Sequence, residues 1–146
     1  MKRSPLSRKT PLKRSGKLRP VSKKRAKLQR EVSGPRAAYV KEQGRCAVCG
    51  ATENLAVHEI AKGSHREAAL SEEEAWLVAC WTCNSGPLND YSLWPIERQL
   101  ALKALCDAER YDRRKVNELR GRAPEAINEA EVISAAYELG RAAWNR

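Results

Sequence analysis

The sequence predicts an α+β fold in which a small two-stranded β-layer is flanked by helices. Two C-x-x-C pairs, at residues 46–49 and 80–83, have the spacing of two ligand-bearing turns. Two short apolar runs, at residues 55–60 and 76–79, have the length and composition of β-strands. From Pro95 onward, apolar residues recur at helical spacing, which predicts a helical layer in the C-terminal half.

The first thirty residues form a separate segment by charge. The 146 residues have room for one domain, predicted at residues 31–146, and for a tail, residues 1–30. The tail holds thirteen of the twenty-eight Lys and Arg and no acidic residue, whereas the remainder carries fifteen basic and eighteen acidic residues. A Ser/Thr-Pro-Leu pattern at residues 4–8 recurs at residues 10–14. Because proline disfavours helix and like charges repel, we expect this tail to be flexible and disordered.

Two short helices are predicted between the tail and the first cysteine pair. The apolar spacing of residues 23–32 indicates a first helix, which Gly34 and Pro35 should end. Pro35 is suited to the first turn of a second helix over residues 36–43, and Gly44 provides a stop signal for that helix.

The two cysteine pairs predict a structural zinc site. The ligands are Cys46, Cys49, Cys80 and Cys83. Two C-x-x-C turns bring four thiolates to a tetrahedral arrangement, the geometry and ligand type that Zn²⁺ prefers. The alternatives are disulfides, which are rare in the reducing compartment expected for a chain without a hydrophobic leader, and a thioredoxin-like motif, which needs only one pair. The fifth cysteine, Cys106, is interpreted as a small core residue.

Three helices are predicted after the second cysteine pair. Their bounds are about Pro95 to Asp107, Asp112 to Gly121, and Asn128 to Trp144. Leu105 and Cys106 fall on the apolar side of the first of them. In the last helix, Asn128 followed by Glu131 is typical of a capping box. We expect the apolar stripes of these helices to form core, and a protein-binding surface is the alternative.

The charge of the tail predicts a polyanionic partner, and nucleic acid is favoured because a metal-bound module follows directly. The tail residues predicted to contact the nucleic-acid backbone are Arg3, Arg8, Lys13, Arg14, Lys23, Lys24 and Arg25. A solubilising or localisation tail is one alternative. An anionic membrane surface is another, although the tail lacks the aromatic and leucine-rich face of an interfacial helix.

The order of these features resembles a known family. C-x-x-C-Gly, a strand containing His58, a basic loop, a second strand and C-x-x-C-Asn follow one another over residues 45–90. This arrangement resembles the zinc-containing branch of the HNH (His-Me finger) endonucleases, whose core is a ββα-metal finger. It is also similar to small phage-encoded HNH-like proteins that have a basic N-terminal tail, some of them linked to recombination.

The resemblance implies a catalytic site around the first strand. His58 takes the position of the general base, with Glu59 as a ligand of a catalytic Mg²⁺ or Mn²⁺; the reverse assignment of the two residues stays open. His58 as a partly buried strand residue or as an additional zinc ligand is the other interpretation. Asn84 and Asp90 would complete the oxygen ligands of the second metal, and Arg66 would contact a phosphate.

Two features of the chain depart from the family pattern. Ala75 and Trp76 stand where the family has the middle Asn that orients the base. The final His or Asn of the motif has Asn84 at the nearest position, with Asn89 and Asp90 a few residues on. His65 and Arg66 in the intervening loop are candidate substitutes.

The function predicted from these features is a metal-dependent HNH-type endonuclease that hydrolyses DNA phosphodiester bonds and binds the backbone non-specifically through its tail. The alternative is a catalytically inactive zinc module that binds nucleic acid or a recombination or packaging partner. A third prediction is a protein–protein adaptor that uses the C-terminal helices. The expected location is the cytoplasm, that of a bacterial host if the protein is phage-encoded.

Overall fold

A computed structural model describes residues 23–61 and 66–144 of the chain. Within these ranges the protein is α+β and mostly helical, with one two-stranded sheet, as predicted. The helices are α1 Lys23–Gln43, α2 Arg66–Ala69, α3 Trp81–Ser85, α4 Ile96–Cys106, α5 Arg113–Leu119 and α6 Glu129–Trp144, and the strands are β1 Leu55–Glu59 and β2 Trp76–Cys80. None of the helices in this part of the chain combines the length and apolar character needed to cross a bilayer.

Helix α1 is a single helix that continues through Pro35, so the predicted break at that point is wrong. The residues around Pro35 are exposed, and the carbonyl that loses its partner there can bind water instead. Val32 and Tyr39 lie seven residues apart on the same helix face, and both are buried, so they hold the two halves against the core. The helix begins at Lys23, inside the predicted tail; residues 1–22 lie outside the described residues, and their disorder stays a prediction.

Strands β1 and β2 pair antiparallel, which confirms the two predicted strands. Leu55 is opposite Cys80, and Glu59 is opposite Trp76. Every residue of β2 is buried, whereas β1 is buried only at His58 and Glu59. A backbone hydrogen bond of 2.8 Å from Ala47 to β2 attaches the first cysteine turn to the sheet. The sheet therefore brings the two cysteine pairs to one end.

Helices α4 and α6 pack along each other and cover the core beside β2. Leu100 and Val132 are among their buried residues. Leu105 and Cys106, predicted on the buried side of α4, are exposed, because α4 ends there and its last turn passes the edge of the core.

The predicted starts of α5 and α6 are confirmed by their capping contacts. Asp112 accepts a hydrogen bond of 2.9 Å from the backbone N–H of Lys115. Asn128 accepts one of 3.0 Å from the N–H of Ala130, and Glu131 accepts one of 3.2 Å from the N–H of Asn128. The second pair is the reciprocal capping box that the sequence predicted.

A buried network of charged and polar side chains connects α1 to α4. Lys103 forms an ion pair with Asp107 and donates hydrogen bonds of 2.9 Å to the Tyr39 hydroxyl and 2.8 Å to the carbonyl of Glu73. The Tyr39 hydroxyl also lies 2.8 Å from the Asp107 carboxylate. Each charge in this network has a partner, as a buried charge requires.

Candidate metal centre and the His58 site

The four predicted ligands converge on one point. The sulfur atoms of Cys46, Cys49, Cys80 and Cys83 all lie within 4.8 Å of one another. The Sγ atoms of Cys49 and Cys80 are 3.7 Å apart. A tetrahedral site with Zn–S bonds of about 2.3 Å has sulfur–sulfur edges of about 3.8 Å, so the spacing fits that geometry. The cluster could hold a metal ion such as zinc.

Backbone contacts explain why the two cysteine turns face each other. The N–H of Gly50 donates a hydrogen bond of 2.9 Å to the carbonyl of Cys46. The φ angle of Gly50 is +76°, a conformation that residues with a side chain rarely adopt. The N–H of Cys46 donates 2.7 Å to the carbonyl of Ala51, which closes the first turn. The second turn is attached to the residue that precedes β1 through a 3.0 Å hydrogen bond from the N–H of Trp81 to the carbonyl of Asn54.

The thiols of the cluster have unequal pKa values. Burial raises the pKa of Cys46, but backbone hydrogen bonds from Cys49, Cys80 and Val48 outweigh it and bring that pKa down to about 7. Burial and the neighbouring sulfurs raise the pKa of Cys83. Four thiolates at this spacing repel one another without a cation, and a divalent metal removes that repulsion. A four-sulfur site has no open position for water, so its metal would be structural.

His58 lies in a buried polar pocket beside this centre. Its side chain, from β1, is only 2% exposed. Its Nδ1 atom lies 2.8 Å from Oδ1 of Asn84, and its Nε2 atom lies 3.0 Å from Oε1 of Gln99 on α4. The Gln99 amide is oriented by its Nε2 atom, which donates to the carbonyls of Leu88 and Trp94 at 3.3 and 2.8 Å. Its oxygen therefore faces His58, and Nε2 of the imidazole carries a proton.

Glu59 is held on the other side of the strand. Its carboxylate forms ion pairs with Arg36 of α1 and, at 2.7 Å, with Arg66 of α2. The guanidinium of Arg36 also donates to the carbonyl of Leu70 and lies over the Trp76 ring. Successive residues of a strand point to opposite faces, so Glu59 is directed away from His58.

The three residues predicted to hold a second metal have separate partners. Asn84 contacts His58, so these two predicted site residues are brought together. Glu59 is bound by two arginines. Asp90 is exposed and accepts hydrogen bonds of 2.9 and 2.6 Å from the N–H and hydroxyl of Ser92, which lower its pKa. Over residues 23–61 and 66–144, the four-cysteine cluster is the one group of three or more His, Cys, Asp or Glu side chains at ligand spacing. The Mg²⁺ or Mn²⁺ site stays a prediction.

The predicted DNA-contacting residues fall in three places. Arg3, Arg8, Lys13 and Arg14 lie outside the described residues. Lys23, Lys24 and Arg25 form the first turn of α1, and the side chain of Lys23 is exposed. Arg66 keeps 57% of its side chain exposed while bound to Glu59. His65, the candidate substitute, is also outside the described residues.

The predicted protein contact through the C-terminal helices stays a prediction. Ile133 and Tyr137 lie four residues apart on α6 and are 62% and 69% exposed. Their neighbour Val132 faces the core, so α6 has an outer apolar face besides its packed one.

Gln99 and Arg36 are the two residues of this site that the sequence analysis missed. Gln99 lies between Ile96 and Leu100, at a position that the helical period places in the core. A polar residue at a predicted core position is a signal that a buried polar partner exists. Arg36 was predicted only as part of a helix, and no spacing rule connects it to Glu59, twenty-three positions away.

Comparison of the chain with protein-family models, curated proteins and solved structures finds no match.

Proposed function

We propose that this protein is a zinc-stabilised DNA-binding module, built like the HNH endonucleases, in which His58 is a structural residue. The observation that carries the proposal is the His58 pocket. A general base needs a ring nitrogen that can reach a water or substrate proton. Here both ring nitrogens lie within hydrogen-bond distance of side-chain amides, in a site that is 2% exposed.

The order of the elements around the cysteines supports a ββα-metal finger. β1 and β2 pair antiparallel, and α3 begins at the residue after β2. The first cysteine turn precedes β1, and the second spans the junction of β2 and α3. A metal at this junction would attach the turn, the sheet and the helix to one another, which favours a structural role for zinc in this element order.

The charge distribution supports DNA binding. Thirteen basic and no acidic residues lie in residues 1–30. Where this segment enters the described part of the chain it is helical, and Lys23, Lys27 and Arg30 are exposed on α1. Cations spread along a segment bind phosphates without reading bases, so the binding would be non-specific and sensitive to salt.

An endonuclease is the second candidate, and the contact between His58 and Asn84 favours it. The family resemblance predicts these two residues in one site, and their side chains meet at 2.8 Å. Catalysis would require the Nε2 atom to leave Gln99 and a divalent ion to bind nearby. Mg²⁺ or Mn²⁺ would there stabilise the charge on the leaving oxygen.

Supercoiled plasmid distinguishes the two candidates. The purified protein is incubated with plasmid and Mg²⁺ or Mn²⁺, with and without EDTA, and the products are examined for both retardation and nicking. We expect retarded but intact plasmid. Nicking that requires the metal and is lost in His58→Ala would overturn the proposal in favour of the endonuclease. Absence of both retardation and nicking at low salt would exclude both candidates.

Because His58→Ala can unfold the pocket, Asn84→Ala serves as a second variant, and Ser85→Ala, an exposed neighbour on α3, serves as the matched control. Zinc content and circular dichroism are measured for each protein. A folded, zinc-loaded Asn84→Ala protein that loses metal-dependent nicking, beside an active Ser85→Ala protein, would also establish the endonuclease.

A further inference from the structure

Trp81 is an exposed tryptophan inside the second cysteine turn. It lies between Cys80 and Thr82, and 71% of the residue is accessible to solvent. Tryptophan is usually well buried in folded proteins, so an exposed one is informative. Within the described residues, its indole has no hydrogen bond and no ring contact with another side chain.

The backbone around Trp81 is held on both sides. Its N–H donates a hydrogen bond of 3.0 Å to the carbonyl of Asn54, which joins it to the residue that precedes β1. Cys80 before it and Cys83 after it belong to the cysteine cluster. A metal in the cluster would fix this turn further. The indole is thus presented on a rigid support, which limits the conformational entropy lost when a ligand binds.

A shallow groove of about 640 Å³ lies beside the indole. Its other lining residues include Glu53, Asn54, Leu55, Ala56 and Thr82. Leu55 and Ala56 supply an apolar floor, and Glu53 is the one charged residue of the lining. The negative charge of Glu53 repels a phosphate from the groove. An uncharged aromatic ring that carries an amino group can instead pack on the apolar floor and donate a hydrogen bond to the Glu53 carboxylate.

We propose that Trp81 and this groove bind an unpaired base of single-stranded nucleic acid. The inference rests on the proposed function, which supplies the phosphate contacts from the basic N-terminal segment. Stacking on an aromatic side chain needs an accessible base face, which a duplex does not offer. Glu53 would accept a hydrogen bond from an exocyclic amino group, so cytosine is bound better than thymine. The groove would therefore contact the base, and the basic residues 1–30 would contact the phosphate backbone.

The experiment measures fluorescence anisotropy of labelled oligo(dC), oligo(dT) and a duplex of equal length with the full-length, zinc-loaded protein. We expect Trp81→Ala to weaken oligo(dC) binding about tenfold, the effect of removing one stacked base, and to leave duplex binding unchanged. Trp81→Phe, which keeps an aromatic face, should retain most of the affinity. The slope of log K against log salt should not change, because no phosphate contact is lost.

Tyr137→Ala is the matched control, since Tyr137 is 69% exposed on α6, far along the chain from the cysteine turns. Zinc content and thermal unfolding of each variant verify the fold. Equal loss of oligo(dC) and duplex affinity in Trp81→Ala, or no loss in either, overturns the inference while leaving DNA binding intact. A change in the oligomeric state of the free protein on Trp81→Ala would show that the indole covers another copy, which also overturns it. If the wild-type protein binds none of the three probes, the proposed function and the inference both fail.

Discussion

His58 and Glu59 are adjacent on β1, yet their side chains occupy different polar environments on the two faces of the strand. The imidazole contacts the amides of Asn84 and Gln99, whereas the carboxylate is bound by two arginines. The alternation of a strand makes this separation unavoidable, because neighbouring residues point to opposite faces. The two side chains therefore have separate partners, and the role of each residue can be tested separately.

The first prediction concerns the protonation of His58. The nitrogen of the Gln99 amide donates to two carbonyls, so its oxygen is presented to Nε2 of His58. We therefore expect a proton on Nε2, whichever atom of the Asn84 amide faces Nδ1. The ¹⁵N chemical shifts of the imidazole, measured at neutral pH, report this tautomer directly.

Two variants make that measurement decisive. Gln99→Leu removes the acceptor and should destabilise the protein by about 1–3 kcal/mol, because the buried N–H loses its partner. Asn84→Leu removes the group at Nδ1 and should leave the proton on Nε2 in place, because Gln99 still accepts it. If Nε2 of wild-type His58 carries no proton at neutral pH, the assignment of the contact with Gln99 is wrong.

The second prediction concerns the cysteine cluster. Cys46→Ser or Cys83→Ser should abolish stoichiometric zinc binding and unfold the region around the sheet. The reason is that structural zinc contributes about 10–16 kcal/mol of apparent binding free energy, as much as the net stability of a typical domain. Elemental analysis and circular dichroism measure the two effects. Cys106→Ser is the control, because Cys106 is exposed and lies outside the cluster. The zinc content and melting curve of this variant should match those of the wild type. Full zinc content in Cys83→Ser would contradict the four-sulfur assignment.

Local patterns in the sequence predicted much of this structure. The C-x-x-C spacing located all four clustered sulfurs, and the Asn128–Glu131 pattern located the start of α6. Both depend on residues a few positions apart, whose geometry follows from the turn or helix itself. The family resemblance placed His58 and Asn84 in one site, and their side chains lie 2.8 Å apart.

Contacts between distant segments were not predicted. Pro35 was expected to end a helix, but the burial of Val32 and Tyr39 on one face keeps α1 continuous. The neutralisation of Glu59 by Arg36 depends on how α1 lies against the sheet, which no local pattern specifies. A general pattern of apolar positions likewise does not show where a helix leaves the core, so the exposure of Leu105 was missed.

The third prediction concerns DNA binding by the tail. Replacing Arg3, Arg8, Lys13 and Arg14 with Gln in the full-length protein should reduce the slope of log K against log salt by up to about 3–4, because each lost phosphate contact removes about 0.9 from it. Equilibrium binding to one duplex at several salt concentrations gives the slope. The control replaces four exposed basic residues of the body, namely Lys41, Arg45, Arg114 and Arg122. An equal reduction in both variants would show that overall charge, not the tail, drives binding.

The fourth prediction concerns the buried ion pair of Lys103 and Asp107. Burial raises the pKa of Asp107, but hydrogen bonds from Lys103 and Tyr39 outweigh it, so the pKa lies below its ordinary value. A carboxyl whose folded pKa is depressed stabilises the protein above its unfolded pKa of about 4, and that contribution is lost as the pH falls through the folded value. Asp107→Asn should therefore cost about 3–5 kcal/mol at neutral pH, since it leaves Lys103 buried without a counter-charge.

Urea unfolding of the wild type and of Asp107→Asn between pH 3 and 7 measures how the contribution of Asp107 to stability depends on pH. Because both proteins carry the same cysteine cluster, any release of metal in acid affects them alike. The difference in unfolding free energy between them should be largest at neutral pH and shrink toward the acid end. Replacing both partners, with Lys103→Met and Asp107→Leu together, should recover most of the lost stability, because no buried charge then lacks a partner. A constant difference across the whole pH range would mean that Asp107 contributes through packing and not through its charge.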